Sequence, residues 1–201
     1  MGNKERRRFV WERDKALALL RVRDAIRSSE IDPDIADVVL LINRFEKWYT
    51  TSSCSGRIFL IEMPEVFTKK NARILGKWHW KVGVEEVKRV IEGFKGRNLI
   101  LSVRGPIIHV IARDIWSAKE FLSLAYQAGF NKSGIRYINP ERVFIEVRGS
   151  EYTDVPVILD GKRTLNESAL PTVVKTLNQL LVRSKVKLKR LKDVLLRYKL
   201  A

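Results

Sequence analysis

Two helical stripes open the chain. Apolar residues recur at helical spacing at Phe9, Leu17 and Leu20, and again at Ile35, Val38, Val39, Ile42 and Phe45. Pro33 stands where it ends the first helix and opens the second. Runs rich in β-branched and aromatic residues follow at 57–63, 77–82, 98–103, 107–111 and 142–147, and are predicted to be strands of one sheet. Amphipathic segments at 84–94 and 117–130 interrupt them. Each ends in Gly-Phe, as Gly93-Phe94 and Gly129-Phe130, in the manner of a helix closing on a glycine. Leu159-Asp160-Gly161-Lys162 reads as a hairpin turn. From 166 to 198, leucines and valines at 173, 177, 180, 181, 188, 191 and 195 form the stripe of a long terminal helix, with Pro171 near its start.

Part of this pattern repeats. Leu99-Ile-Leu-Ser-Val-Arg-Gly105 and Val143-Phe-Ile-Glu-Val-Arg-Gly149 both follow a Gly-Phe helix end and both close on Val-Arg-Gly, which predicts an internal β/α duplication. The expected architecture is α+β: a single barrel-like mixed sheet with flanking helices and a long basic C-terminal helix. At 201 residues, one domain spanning 1–201 is expected.

Charge sharpens the functional reading. The formal net charge is +16, from 39 Lys and Arg against 23 Asp and Glu. Such an excess attracts polyanions, so nucleic acid is the leading partner, with a merely solubilising surface as the competing reading. The last helix carries Arg183, Lys185, Lys187, Lys189, Arg190, Lys192, Arg197 and Lys199 against Asp193 alone. That is more than a helix dipole requires and suits contact with a phosphate backbone. No apolar run reaches the ~18 residues a membrane span needs, and the first eight residues lack the apolar stretch of a secretory signal, so a cytoplasmic protein is expected. Cys54 is the lone cysteine, which rules out an internal disulfide and a cysteine-based zinc site; no metal is expected.

Tyr49-Thr50-Thr51-Ser52-Ser53-Cys54-Ser55-Gly56-Arg57 is the most informative stretch. As a short loop, it offers hydroxyls that both donate and accept hydrogen bonds, Gly56 lets a ligand approach the backbone, and Arg57 offers a planar fork to a carboxylate or phosphate. The string Thr51-Ser-Ser-Cys-Ser-Gly-Arg57 resembles the signature of the wybutosine-synthesis N-methyltransferase family, in its archaeal form. Asp14-Lys15, Ile42-Asn43, Lys77-Trp78-His79-Trp80, Pro106-Ile-Ile-His109-Val110, Gly129-Phe130-Asn131-Lys132-Ser133-Gly134-Ile135 and Asn178 agree with that family in order and spacing. Asn131-Lys132 departs from an expected Arg-Asn, Ala16 from a usual serine, and Gly83 from a frequent histidine.

The resemblance implies methyl transfer from S-adenosylmethionine to a ring nitrogen of a 4-demethylwyosine-type tricyclic base beside the anticodon of phenylalanine tRNA. It also implies a barrel-like α+β fold with internal repeats; no Gly-x-Gly-x-x-Gly follows a strand, so a Rossmann-type enzyme is not expected. Ser52, Ser53, Ser55, Gly56, Arg57 and Trp78 are the expected donor-binding residues. His109 and Ser53 are the expected catalytic groups. Trp80, Asn131, Lys132, Ser133, Lys185, Lys189 and Arg190 are expected to hold the tRNA. Several of these have plainer explanations: Trp78 and Trp80 either pack a core or stack on a flat ring. His109, among Ile107, Ile108, Val110 and Ile111, is either a satisfied core histidine or a proton acceptor. Cys54 reads as polar lining, since methyl transfer to nitrogen needs no covalent enzyme intermediate. A non-enzymatic RNA-binding or ribosome-associated protein is the alternative, and it leaves the Ser-rich string unexplained.

Overall fold

Consecutive strands of this chain repeatedly enter different sheets. The computed structural model describes residues 3–65, 68 and 70–200. In order the elements are α1 (Asn3–Arg27), α2 (Pro33–Arg44), β1 (Trp48–Cys54), β2 (Arg57–Glu62), β3 (Arg73–Trp78), α3 (Val84–Glu92), β4 (Leu99–Arg104) and β5 (Ile107–Ala112). They continue with α4 (Ile115–Gln127), β6 (Gly134–Asn139), β7 (Arg142–Arg148), β8 (Tyr152–Leu159), β9 (Lys162–Arg163) and α5 (Leu170–Leu200). One sheet has the order β1-β5-β7-β6 and the other β3-β2-β4-β8-β9.

Two compact units result. The first comprises Met1–Ser55, Pro106–Ser150 and Lys185–Ala201, and the second Gly56–Gly105 and Glu151–Ser184. The expected single barrel-like mixed sheet is therefore corrected to two open sheets, in which every pairing among the described residues is antiparallel. The physical reason lies at the crossings. After Ser55, after Gly105 and after Ser150 the next strand joins the other sheet, so neither sheet gathers enough strands to close. The two Val-Arg-Gly strings mark two of these exits, but their settings differ: α3 leads directly to β4, whereas β6 intervenes between α4 and β7.

In the first unit, α2 starts with Pro33 after Asp32 and buries Ile35, Val38, Val39, Leu41 and Ile42. α4 starts where the Asp114 carboxylate accepts the Ser117 amide at 2.7 Å. It closes through Gly129, whose φ of +93° permits the left-handed turn that returns the Phe130 amide to the Ala125 carbonyl. One face of the sheet, with Ile108, Val110, Val143, Ile145 and Val147, packs on α2, α4 and the Leu188–Leu195 stretch of α5. Trp11 and Ala18 of α1 cover Tyr49 and Ile111 on the opposite face.

The second unit buries Ile58, Leu60, Leu99, Leu101 and Val103 against α3 and the Leu170–Leu181 part of α5. Asn178 of α5 accepts the Val82 amide and donates to the Val82 carbonyl, both at 2.9 Å, fixing the approach to α3. Gly93 ends α3 at φ −74°, not in the left-handed turn seen at Gly129. Asp160 and Gly161 have φ of +48° and +76°, the two positive values a tight Asp-Gly hairpin needs. The third strand occupies 73–78 instead of the expected 77–82, because its pairing with β2 is set by Ile58 opposite Trp78 and Glu62 opposite Arg73.

Candidate active site

The hydroxyl-rich stretch is an edge strand, not a loop. β1 pairs with β5 from Trp48 opposite Ala112 to Cys54 opposite Ile107, with an irregularity between Thr50 and Ser52. Asn43 fixes where it falls. Its Oδ1 accepts the Thr50 amide at 3.1 Å, while its Nδ2 donates to Thr50 Oγ1 and to the Val39 carbonyl, each at 2.7 Å. Thr50 is thereby held inward and buried, Thr51 is the extra residue of a bulge, and Ser52 comes out exposed on the opposite face.

Ser52 meets His109 on that face. Ser52 Oγ is 2.7 Å from His109 Nδ1, and His109 Nε2 is 3.6 Å from Glu146 Oε2. The three residues lie in one row across β1, β5 and β7, since Ser52 is opposite His109 and His109 is opposite Glu146. Arg136 is ion-paired with Glu146, and Arg148 stands 3.6 Å from the same carboxylate. Burial opposes ionisation of Glu146, but the hydrogen bond and charge of Arg136, with Arg148 and His109, outweigh it and hold the carboxyl below its ordinary value. The Phe144 ring lies 5.1 Å from that of His109, with Tyr137 stacked on Phe144 at 5.3 Å.

A cavity of about 680 Å³ opens beside this strand, lined by Thr51, Ser52 and Ser53 and, across from them, by residues of α1 that include Asp14, Arg21 and Asp24. Arg142 also lines it, hydrogen-bonded to Tyr49 and 3.2 Å from Asp14 Oδ2. Burial outweighs the Arg142 charge and pushes the Tyr49 phenol up. Lys15 lies on the same helix and donates to the carbonyls of Asn43, Phe45 and Trp48, at 3.2, 2.6 and 2.5 Å. It thus covers the end of α2; burial, opposed by Glu46, pushes its pKa down to about 8.

The other predicted residues are spread over both units. Ser55 is fully buried: its amide donates to Asp32 Oδ2 at 2.9 Å and its hydroxyl accepts from Lys185. Lys185 is itself ion-paired with Asp34 and only 9% exposed. Both are thus occupied in joining α5 to the start of α2. Ser133 is buried and its hydroxyl accepts the Arg148 amide at 3.1 Å, a brace between two segments of the first unit. Asn131, Lys132, Lys189 and Arg190 are exposed.

Gly56, Arg57, Trp78 and Trp80 belong to the second unit. Gly56 turns the chain at φ +90°. Arg57 is opposite Arg104, and both guanidiniums lie 5.7 Å from the Phe59 ring. The Trp78 ring lies across Gly76, where a Cβ would come within 2.5 Å of it, and it packs against that unit's core. Trp80 is 60% exposed.

Sequence reasoning missed Glu146 and gave Asn43 and Arg142 no role. Phe144, Glu146 and Arg148 alternate with Val143, Ile145 and Val147, so the period of β7 already puts Glu146 on the polar side. Only the pairing of β5 with β7 brings it to His109.

Comparison with known proteins gives a consistent result. The family model described as methyltransferase TYW3 matches residues 12–197. A Thermococcus sibiricus protein named tRNA(Phe) 7-((3-amino-3-carboxypropyl)-4-demethylwyosine(37)-N(4))-methyltransferase is 39% identical over 189 residues, 92% of this chain and 96% of that protein. A Methanocaldococcus jannaschii protein of the same name is 33% identical over 186 residues, 92% of this chain and 93% of its own length. A solved structure from Pyrococcus horikoshii has a TM-score of 0.86 at 38% identity and covers 92% of this chain and 95% of that one. One from Aeropyrum pernix has a TM-score of 0.71 at 35% identity, covering 82% and 97%.

Proposed function

Since this chain belongs to the methyltransferase TYW3 family, we propose that it transfers a methyl group to N4 of a 4-demethylwyosine-type base at position 37 of phenylalanine tRNA. The donor in this reading is S-adenosylmethionine, and the place of action is the cytoplasm. It is an enzyme of tRNA modification in wyosine derivative synthesis.

The observation that carries the site assignment is the cavity bordered by Thr51, Ser52 and Ser53. Its volume, about 680 Å³, falls within the range of small-molecule sites. Asp14, Asp24 and Glu30 line it with Arg21 and Arg142, an alternation of carboxylate and guanidinium suited to a ligand bearing a sulfonium and an amino acid end. The sulfonium supplies an activated methyl, so the protein's tasks are to align the nitrogen with it and to accept the nitrogen's proton. His109 is proposed as the proton's destination. Lys189 and Arg190 are proposed to contact tRNA phosphates, which position the RNA without reading its sequence. Gly56, Arg57, Trp78 and Trp80 are not among the residues that line this cavity.

Labelled S-adenosylmethionine and phenylalanine tRNA carrying the unmethylated tricycle supply the test. Label should pass to the RNA, and calorimetry should register donor binding without RNA. Unlabelled RNA across several such tRNAs would leave a non-enzymatic RNA-binding protein in its place.

A further inference from the structure

His109 is absent from the described lining of the cavity, whereas Ser52, hydrogen-bonded to it, is among the lining residues. Any proton that leaves a ligand in the cavity for His109 therefore has to pass through the Ser52 hydroxyl or through solvent. The row continues to Glu146, which is 16% exposed and lies on the far side of the imidazole from Ser52. Two cations hold that carboxylate: Arg136, 51% exposed, and Arg148, 32% exposed. An ionised acid beside Nε2 favours the tautomer with its proton on Nε2, which leaves Nδ1 as the acceptor for the serine hydroxyl.

We infer that Ser52, His109 and Glu146 form a proton relay, in which Ser52 is the group that touches the substrate nitrogen and Glu146 is a positioning residue acting through His109. This rests on the methyl-transfer reading above. The nitrogen lone pair forms the N–C bond as the C–S bond breaks and its electron pair returns to sulfur, leaving a neutral thioether. The nitrogen's proton moves to Ser52 Oγ while the hydroxyl proton moves to His109 Nδ1. The imidazolium so formed faces Glu146 and later gives its proton to water. Ser53, the catalytic serine expected from the sequence, is opposite Ile108 on the other face of β1 and has no place in the row.

Two measurements test the relay. In the unliganded wild-type protein, nitrogen-15 spectra of the histidines, assigned with His109→Gln, should show neutral His109 protonated on Nε2. Glu146→Gln should raise the share protonated on Nδ1. In steady-state assays Ser52→Ala and His109→Gln should each lower kcat by about 10²-fold with KM little changed. The double variant should be no slower than the slower single one, because the two residues carry one proton. Glu146→Gln should lower kcat by about tenfold, equivalent to ~1.4 kcal/mol. An Nδ1-protonated wild type overturns the relay, and so do variants with undiminished kcat or a double variant whose loss is the product of the single losses. A wild type that never methylates the RNA overturns the functional reading instead, and the spectra still decide the geometry.

Discussion

Asn43 and Thr50 hold each other by two hydrogen bonds, side-chain amide to hydroxyl at 2.7 Å and backbone amide to side-chain carbonyl at 3.1 Å. Both residues are buried, so replacing Asn43 strands the Thr50 amide away from water. We expect Asn43→Ala to cost about 1–3 kcal/mol, measured as a lowered denaturant midpoint. It should also release the bulge that turns Ser52 outward. Donor affinity should therefore fall even under conditions where the variant is fully folded, and unchanged calorimetry there would detach the bulge from the site.

Lys15 predicts an unusual dependence on pH. Its folded pKa of about 8 lies below the ordinary 10.5, so between those values the unfolded chain binds more protons than the folded one. Stability at this site therefore rises with pH across that interval, and below it the full cost of burying an ammonium is present. Comparing urea midpoints of wild type and Lys15→Met at pH values either side of 8 should show the wild type gaining on the variant in the alkaline arm. A relative loss there would contradict burial as the governing influence.

The basic helix should divide into two kinds of cation. Lys189 and Arg190 are exposed, so alanine at either should leave stability intact and reduce the salt slope of tRNA binding by about one phosphate contact. Lys185, paired with Asp34 and touching Ser55, should instead cost about 1–3 kcal/mol of stability as Lys185→Ala. Indistinguishable thermal melts for the three variants would refute the division.

Asn178 bridges both polar groups of Val82, whose residue is 4% exposed. Asn178→Ala should therefore lower stability by about 1–3 kcal/mol, and Asn178→Asp, which keeps the acceptor but loses the amide donor, should recover only part of it. Full recovery by aspartate would show that the carbonyl of Val82 needs no partner.

Most helices were legible because their signals are local. Pro33 opens α2, and the apolar stripe of α5 is visible in single residues at helical spacing. The site was legible in part. The string from Thr51 to Arg57 identifies the family, yet its serines resemble a loop because hydroxyl residues carry little strand signal. What makes them a strand is β5, more than fifty residues further on. The same non-locality hid β6, whose Gly134–Asn139 pairs with β7 but begins in residues that look like a turn. Lys185 and Ser55 illustrate a different gap: composition marks a cation and a hydroxyl as available, and only packing reveals that they are already committed to Asp34 and Asp32.

Both hydrophobic interiors draw on α5, one through Leu170–Leu181 and the other through Leu188–Leu195. Neither interior is therefore sealed until its own stretch of α5 has folded onto it. No contiguous fragment can be cut out that contains one whole unit and nothing of the other, so the enzyme has to be expressed, permuted or dissected as an indivisible polypeptide.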